Sequence, residues 1–255
     1  MSAGAPLLEF ADLTRRFQGL VAVDSVTGHV RAHELVGLIG PNGAGKTTLF
    51  NLISGFIAPT RGEIRFDGRS IVGMRPHRIA RLGVGRTFQN LRILPNMTVF
   101  DNVSIGALAA CGHSPWEALI PGRRARSRRI SELTSEVLEQ THLSGWAAEL
   151  AANLSYGRRK YLEIARALAT GPKLLILDEP AAGLNETETV ELAEFIRGIV
   201  RRGITVLLVE HDMSLVMSIC DRVMVLASGA KIADADPATV QRDPAVLDSY
   251  LGARG

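Results

Sequence analysis

One eight-residue segment restricts the possible folds of this chain more than any other feature. Residues 40–47 read Gly-Pro-Asn-Gly-Ala-Gly-Lys-Thr, a full match to the pattern G-x-x-x-x-G-K-[ST]. An apolar run at 35–39 precedes the segment, and a helical pattern at 46–54 follows it. Glycines let the backbone wrap closely enough for its N–H groups to face phosphate oxygens, and the helix N-terminus adds a favourable dipole for anions. The sequence therefore predicts a phosphate-binding loop between a strand and a helix.

The residues of this loop are the first candidate ligands. We expect the Lys46 ammonium to contact the β- and γ-phosphates of a nucleotide. We expect the Thr47 hydroxyl to bind magnesium (Mg²⁺), which prefers a few oxygen ligands together with phosphate. A tight turn with an unrelated lysine is the ordinary alternative, which the full pattern and its context disfavour. The expected nucleotide-binding residues of the loop are Gly40, Pro41, Asn42, Gly43, Ala44, Gly45, Lys46, Thr47 and Thr48.

A second segment supplies two acids. The apolar run at 174–177 leads directly into Asp178 and Glu179. A buried parallel strand delivers its C-terminal residues to the edge of the sheet where ligands bind. Asp178 would hold Mg²⁺ directly or through water, and Glu179 would take a proton from an attacking water. A strand that ends in solvated acids also explains the run by itself, but the phosphate loop upstream favours the catalytic interpretation.

Short apolar runs alternate with helical patterns over most of the chain. This alternation favours an α/β protein with a parallel sheet covered on both faces. The pattern divides into three parts: a nucleotide-binding core with a β subdomain at 1–89, a helical insertion at 90–168, and the second part of the core with C-terminal helices at 169–255.

Charge, cysteine content and hydropathy exclude several classes. The net charge of +3 is too small to predict nucleic-acid binding. Cys111 and Cys220 lie far apart without a CxxC spacing, so we expect neither a disulfide framework nor structural zinc, and a reducing cytosol fits. No apolar run reaches the roughly 18 residues of a spanning helix, and the N-terminus has no secretory signal pattern. We expect a soluble chain that can dock on a membrane protein.

A third motif identifies a family. Residues 154–157 read Leu-Ser-Tyr-Gly, just before a helical pattern and upstream of the acidic strand. Alone, such a tetrapeptide is usually a serine N-cap, but a capped helix start also favours anions. With the two earlier motifs, in this order, it resembles the signature of ABC-type ATPases over nearly the whole chain. The resemblance implies a P-loop NTPase fold with a mostly parallel core sheet, an antiparallel β edge subdomain, and an inserted helical subdomain that carries the signature.

The resemblance assigns further roles. It implies that Gln89 senses Mg²⁺ and the γ-phosphate, that the switch histidine His211 positions the γ-phosphate and water, and that Phe17 stacks on adenine. Ser155 and Gly157 would cover the γ-phosphate held by a second subunit. The resulting expectation is a catalytic set of Lys46, Gln89, Glu179 and His211 and a metal-binding set of Thr47, Gln89 and Asp178.

Three segments narrow the resemblance. Residues 85–90, 178–185 and 210–213 are similar to phrases typical of ATP-binding subunits of branched-chain amino acid importers. This implies ATP and Mg²⁺ as cofactors, a second ATP-binding subunit (the same chain or a close paralogue), two transmembrane permease subunits and, indirectly, a substrate-binding protein. It implies no nucleic-acid partner and a position on the cytoplasmic face of the cell membrane. ATP hydrolysis there would power uptake.

Other functions stay open at this stage. They are import of urea, amides or other amino acids, lipid export, and a soluble ABC ATPase outside transport; a general P-loop kinase or GTPase would lack the signature and the switch histidine. Two positions depart from the signature pattern, with Tyr156 at the second glycine and Arg158 at the usual glutamine. An arginine cluster at 123–129 indicates a solvated helix face or, as an alternative, contact with lipid headgroups or a membrane partner.

Overall fold

The structure is a computed structural model of the 255-residue chain and describes residues 5–88, 91–111 and 123–251. Its strands are β1 Leu8–Phe17, β2 Leu20–Val30, β3 Leu35–Ile39, β4 Arg61–Phe66, β5 Arg69–Ser70, β6 Val84–Arg86, β7 Leu174–Asp178, β8 Thr205–Val209, β9 Arg222–Ala227 and β10 Ala230–Ala235. Its helices are α1 Lys46–Ile53, α2 Pro76–Arg81, α3 Val99–Ala110, α4 Arg123–Gln140, α5 Tyr156–Leu168, α6 Glu186–Arg201, α7 Met213–Ile219, α8 Pro237–Val240 and α9 Pro244–Leu251.

A six-stranded sheet forms the core, in the order β10-β9-β3-β8-β7-β6. Strands β9, β3, β8, β7 and β6 are parallel, and β10 pairs with β9 in the antiparallel sense. Every residue of β3, β7 and β8 is buried, as expected for strands covered on both faces. The predicted mostly parallel core sheet is therefore confirmed. Because the strands are parallel, β3 and β7 end at the same edge and bring the phosphate loop beside the two acids.

A second sheet lies at the N-terminal side. It is antiparallel, with the strand order β2-β1-β4-β5. Leu8 and Phe10 of β1, Ile64 and Phe66 of β4, and Phe50 of α1 are all buried in one apolar cluster. This cluster holds the edge sheet against the phosphate-loop helix, and it confirms the predicted antiparallel β subdomain.

The described part of the predicted helical insertion contains α3, α4 and α5. Val103 of α3, Val137 of α4 and Leu162 of α5 are buried in one cluster that continues into the core sheet. Helix α5 begins where Ser155 accepts a hydrogen bond from the backbone N–H of Arg158, at 3.4 Å. The predicted serine N-cap is therefore present. The division of the chain at 89/90 and 168/169 stays a prediction.

Two elements differ from the expectation. The strand expected at 84–88 ends at Arg86. Strand β10, which the sequence pattern did not indicate, pairs with β9 at the sheet edge. Its residues, Ala-Lys-Ile-Ala-Asp-Ala, lack a continuous apolar run, and most are only half-buried, so the periodicity that reveals a core strand is weak here. None of the described helices is long and apolar enough to cross a membrane.

Candidate functional site

The phosphate loop (residues 40–47) has a backbone that requires glycine. Gly40 and Gly45 have φ angles of 149° and 100°, in the region that residues with a Cβ rarely adopt. A Cβ at Gly40 would clash with the carbonyl oxygen of Leu226, and one at Gly45 with that of Ala22. Neighbouring strands thus crowd the loop from both sides, and the chain wraps into a cradle at the start of α1, where a helix N-terminus favours phosphate.

Lys46 is the first residue of α1 and is 6% exposed. Its ammonium donates to the carbonyl oxygens of Gly40 and Pro41, at 2.6 and 3.1 Å. Burial lowers the pKa of Lys46, and the charges of Glu179 and Asp178 act in the opposite direction. The bonds hold a positive charge directly over the cradle.

Asp178 is the last residue of β7 and is held by an arginine that the sequence argument did not identify. The guanidinium of Arg86 donates to Asp178 Oδ2 at 3.1 Å, and both side chains are 7% exposed. Arg86 also donates to Asn51 Oδ1 at 2.8 Å and to Ser54 Oγ at 2.7 Å. The carboxylate is thereby tied to α1. Burial raises the pKa of Asp178, while the ion pair with Arg86 opposes that rise.

Glu179 and His211 meet at the mouth of the same site. His211 Nε2 and Glu179 Oε1 lie 2.7 Å apart. Glu179 has a φ of 51°, and its backbone N–H donates to the carbonyl oxygen of Val209 at 2.9 Å. Strands β7 and β8 therefore bring the predicted base and the predicted switch histidine into direct contact.

A buried acid supports this contact from behind. Glu210 is 4% exposed and accepts hydrogen bonds from the backbone N–H groups of Ala181 and His211, at 2.7 and 3.1 Å. Burial raises the pKa of Glu210, and these two bonds oppose the rise. The sequence indicated Glu210 only as the first residue of the family-like segment 210–213. Its position directly before His211 was the signal that could have identified its role.

An open cavity of about 1050 Å³ unites most of the predicted residues. Phe17 lies on its wall, 40% exposed, and the guanidinium of Arg15 covers one face of the ring at 4.5 Å from its centroid. The cavity is lined by Phe17, Leu20, Val21, Ala22, Asn42, Gly43, Ala44, Gly45, Lys46, Thr47, Thr48, Glu179, His211 and Ser228. Gly40, Pro41 and Asp178 adjoin this lining in the chain.

Ser155 and Gly157 are not among the residues that line this cavity. They stand at the start of α5, where Gly157 faces Glu188 of α6: a Cβ at Gly157 would lie 2.9 Å from Glu188 Oε1. Gln89, the predicted sensor of Mg²⁺ and γ-phosphate, lies outside the described residues. Of the arginine cluster, Arg128 and Arg129 are exposed and Arg126 is half-buried.

The donor set suits ATP with Mg²⁺. Nucleotide phosphate fits the glycine cradle, whose close wrapping requires glycine at two positions, since a Cβ at Gly40 or Gly45 would clash with neighbouring backbone. Thr47 supplies a hydroxyl and Asp178 a carboxylate, the oxygen ligands that Mg²⁺ prefers. Within the described ranges, no group of three or more His, Cys, Asp or Glu residues is arranged to hold a metal by itself.

Sequence comparisons identify relatives over nearly the full chain. A family profile described as ABC transporter matches residues 23–182, and one described as Branched-chain amino acid ATP-binding cassette transporter matches residues 230–255. The chain is 44% identical to the high-affinity branched-chain amino acid transport ATP-binding protein BraF of Pseudomonas aeruginosa, covering 97% of this chain and 98% of BraF. It is 43% identical to LivG of Salmonella typhimurium, with the same coverage. It is 36% identical to the lipopolysaccharide export system ATP-binding protein LptB of Acidithiobacillus ferridurans, covering 96% of this chain and 97% of LptB.

Solved structures give the same result. An ATP-binding cassette of an ABC transporter in its ADP conformation superposes with a TM-score of 0.86 at 32% identity, covering 97% of this chain and 99% of that one. The cbiO1 structure from Clostridium perfringens superposes with a TM-score of 0.82 at 26% identity, covering 98% and 95%. These likenesses confirm the predicted fold class.

Proposed function

The chain belongs to the ABC transporter family of ATP-binding proteins, and from this premise we propose that its ATPase activity powers the uptake of branched-chain amino acids. The resemblance inferred from the three motifs is confirmed by the family match and the relatives. The chain binds nucleotide and is an ATPase. The observation that carries the catalytic proposal is the 2.7 Å contact of Glu179 with His211 beside the phosphate loop.

The residues of the cavity have distinct roles in this proposal. The cradle at 40–47 binds the phosphates of ATP, Lys46 neutralises the β- and γ-phosphates, and Phe17 stacks on adenine with the ring face opposite Arg15. Thr47, Asp178 and Gln89 would hold Mg²⁺, which would supply positive charge to neutralise the phosphates. Glu179 accepts a proton from the attacking water.

His211 completes the catalytic group. Its Nε2 lies within hydrogen-bond distance of Glu179, so it orients the carboxylate and, with it, the water and the γ-phosphate. The substitution Glu179→Gln tests the role of Glu179, because it replaces the carboxylate by an amide of nearly the same volume. We expect ATP binding measured by calorimetry to persist and hydrolysis to fall roughly 10²–10⁴-fold. A turnover within a few-fold of wild type would show that Glu179 is not the base.

We further propose that each active site is shared between two chains. The cavity is open on one side, while Ser155 and Gly157 stand at a separate helix start that favours anions. In a head-to-tail dimer this helix start covers the γ-phosphate held by the other chain. ATP, which carries the extra phosphate, would then stabilise the dimer, and ADP would not.

Mixing two inactive chains tests the shared site. Lys46→Ala removes the phosphate charge, and Ser155→Arg blocks the signature. A heterodimer of the two retains one site in which both the loop and the signature are intact, so we expect partial recovery of ATPase activity. If every mixture stays inactive, light scattering of Glu179→Gln with Mg-ATP decides: an ATP-dependent dimer means that both sites must hydrolyse, and a monomer refutes the shared site.

The membrane partners would dock on an apolar groove of about 360 Å³ whose lining includes Phe88 and Arg92. Its apolar lining comes from the core and from the helical insertion, through Phe56, Ile79, Val84, Phe88 and Ile105. We propose that a permease subunit binds here, so that two ATP-binding chains hold two permease subunits at the inner face of the cell membrane, and that a substrate-binding protein acts through these permeases. This docking proposal uses the predicted three-part division of the chain, with the core at 1–89 and 169–255 and the helical insertion at 90–168.

The substrate class rests on two sequence findings. The C-terminal match at 230–255 is to branched-chain amino acid cassettes, and two relatives above 40% identity are named for branched-chain amino acid transport. The LptB relative is less similar, at 36%. In cells that lack this chain, we expect loss of radiolabelled leucine uptake, restored by wild type and not by Glu179→Gln. Uptake that persists without the chain would contradict the proposal.

A further inference from the structure

Lys160 connects the signature helix to the catalytic loop of its own chain. It lies on α5, one turn after Ser155 and Gly157, and is 3% exposed. Its ammonium donates to the backbone carbonyl oxygen of Glu179 at 3.2 Å. A buried lysine carries a desolvation cost. Here its charge is directed at the backbone carbonyl of Glu179, the proposed base. None of the roles proposed above depends on this contact.

Two further contacts join the same segments. Tyr156 packs on Gly183: a Cβ at Gly183 would lie 3.0 Å from Tyr156 Cε1, and Gly183 has a φ of 81°. Gly157 packs on Glu188, whose carboxylate forms the capping box that starts α6 with Asn185. The first turn of α5 and the loop 179–185 therefore form one packed unit.

The bond from Lys160 acts on a strained residue. Glu179 is not glycine, yet its φ is 51°, a conformation that surrounding contacts must stabilise. A charge-assisted hydrogen bond to its carbonyl is such a contact. In this conformation the Glu179 side chain reaches His211 at 2.7 Å. Loss of the bond would let the peptide relax and turn the carboxylate away from His211.

We propose that Lys160 is a positioning residue that couples the two ATP sites of the dimer. This inference rests on the shared site proposed above, in which the start of α5 covers ATP bound to the other chain. ATP in that site fixes α5, and Lys160 transmits the position of α5 to Glu179, which hydrolyses ATP in its own chain. Hydrolysis in each site then depends on occupancy of both.

The test compares three variants of the full chain. Lys160→Met keeps the buried length and removes the donor, and Lys160→Arg restores a donor. Arg159→Met is the matched control, because Arg159 is the adjacent residue of α5 and donates to the carbonyl oxygens of Leu154 and Ala152, away from the catalytic loop. For each variant, ATP affinity is measured by calorimetry, and turnover and the Hill coefficient come from ATPase rates against ATP concentration.

We expect Lys160→Met to keep its ATP affinity within about twofold, since the cradle is untouched, which also shows that the variant is folded. Its turnover should fall roughly 10- to 100-fold, the effect of losing one charged hydrogen bond. Its Hill coefficient should fall to about 1 from a higher wild-type value. Lys160→Arg should recover part of both, and Arg159→Met should resemble wild type.

Other outcomes overturn the inference. Unchanged turnover in Lys160→Met means that the bond does not position Glu179, and reduced turnover with a wild-type Hill coefficient means that it does not couple the sites. An equal loss in Arg159→Met assigns the effect to the helix as a whole. A wild-type Hill coefficient of about 1, together with no ATP-dependent dimer of Glu179→Gln, refutes the shared site itself, and that failure is visible before any Lys160 variant is made.

Discussion

Replacing Arg86 by methionine would remove the partner of a buried carboxylate while keeping most of the aliphatic volume. The guanidinium of Arg86 lies between three aromatic rings, with its Cζ 5.8, 5.6 and 5.0 Å from the centroids of Phe50, Phe56 and Phe88. Methionine adapts well to such surroundings. The main change is therefore that Asp178 is left buried and uncompensated.

The expected cost follows from burial. Both side chains of the Arg86–Asp178 pair are 7% exposed, and removal of one partner from a buried pair costs about 3–5 kcal/mol. The pair of Arg65 with Glu63 has nearly the same length, 3.0 against 3.1 Å, but its side chains are 47% and 63% exposed. An exposed pair contributes about 0–1 kcal/mol, so Arg65→Met is a control matched in chemistry and distance.

The cost should grow with pH. Burial raises the pKa of Asp178 above its ordinary value of 3.8, and Arg86 opposes the rise, so the pKa in Arg86→Met is higher still. A carboxyl whose pKa is raised by folding is destabilising when ionised. The loss is therefore smallest below the unfolded value, increases as the pH passes through the raised folded value, and is complete above it.

Urea unfolding without nucleotide, followed by circular dichroism at several pH values, measures this effect. We expect Arg86→Met to lose about 3–5 kcal/mol at pH 8 and less at pH 5, Arg65→Met to lose at most about 1 kcal/mol, and Asp178→Asn to recover part of the loss in the Arg86→Met background. Equal losses in the two single variants, or no recovery in the double variant, would refute the argument from burial.

Three further predictions concern the site. Lys46→Ala should weaken ATP binding in calorimetry, because the buried phosphate charge loses its partner; unchanged affinity would contradict the role of Lys46. His211→Ala should resemble Glu179→Gln, with ATP binding kept and steady-state hydrolysis lost, and a near-normal rate would exclude His211 from catalysis. The isolated chain should give no saturable leucine signal in calorimetry, since none of the roles proposed for the described cavities involves binding an amino acid. A saturable signal at micromolar leucine would contradict this and indicate a regulatory site.

The phosphate loop and the two acids were predictable because each is a local pattern with a local physical cause. Glycines at positive φ and an apolar strand that ends in acids can be identified within about ten residues of sequence. The parallel order of β3 and β7 then places both patterns at one edge of the sheet, so their juxtaposition followed from the predicted fold class. The family resemblance implied separate roles for Glu179 and His211 but not their direct contact, which the neighbouring strands β7 and β8 bring about.

Arg86, Lys160 and β10 were not predictable in the same way. Arg86 lies 92 residues from Asp178, and Lys160 lies 19 residues from Glu179. An arginine on a short strand and a lysine on an amphipathic helix both suit a solvated surface, and only the packing of separate elements buries them. Strand β10 is defined by its pairing with β9 rather than by its own apolar pattern.

Three cations on different segments of the chain act on the two acids of the site. Lys46 of the phosphate loop acts on both acids by charge, Arg86 binds Asp178, and Lys160 binds the carbonyl of Glu179. In the functions proposed above, each cation lies on a segment with a different ligand. Lys46 would contact bound ATP, Arg86 lines the groove proposed for the membrane partner, and Lys160 follows the signature proposed to cover the other chain's ATP. Because all three converge on the last residue of β7 and the residue after it, we infer that a shift of any one of these segments changes the geometry of the two acids.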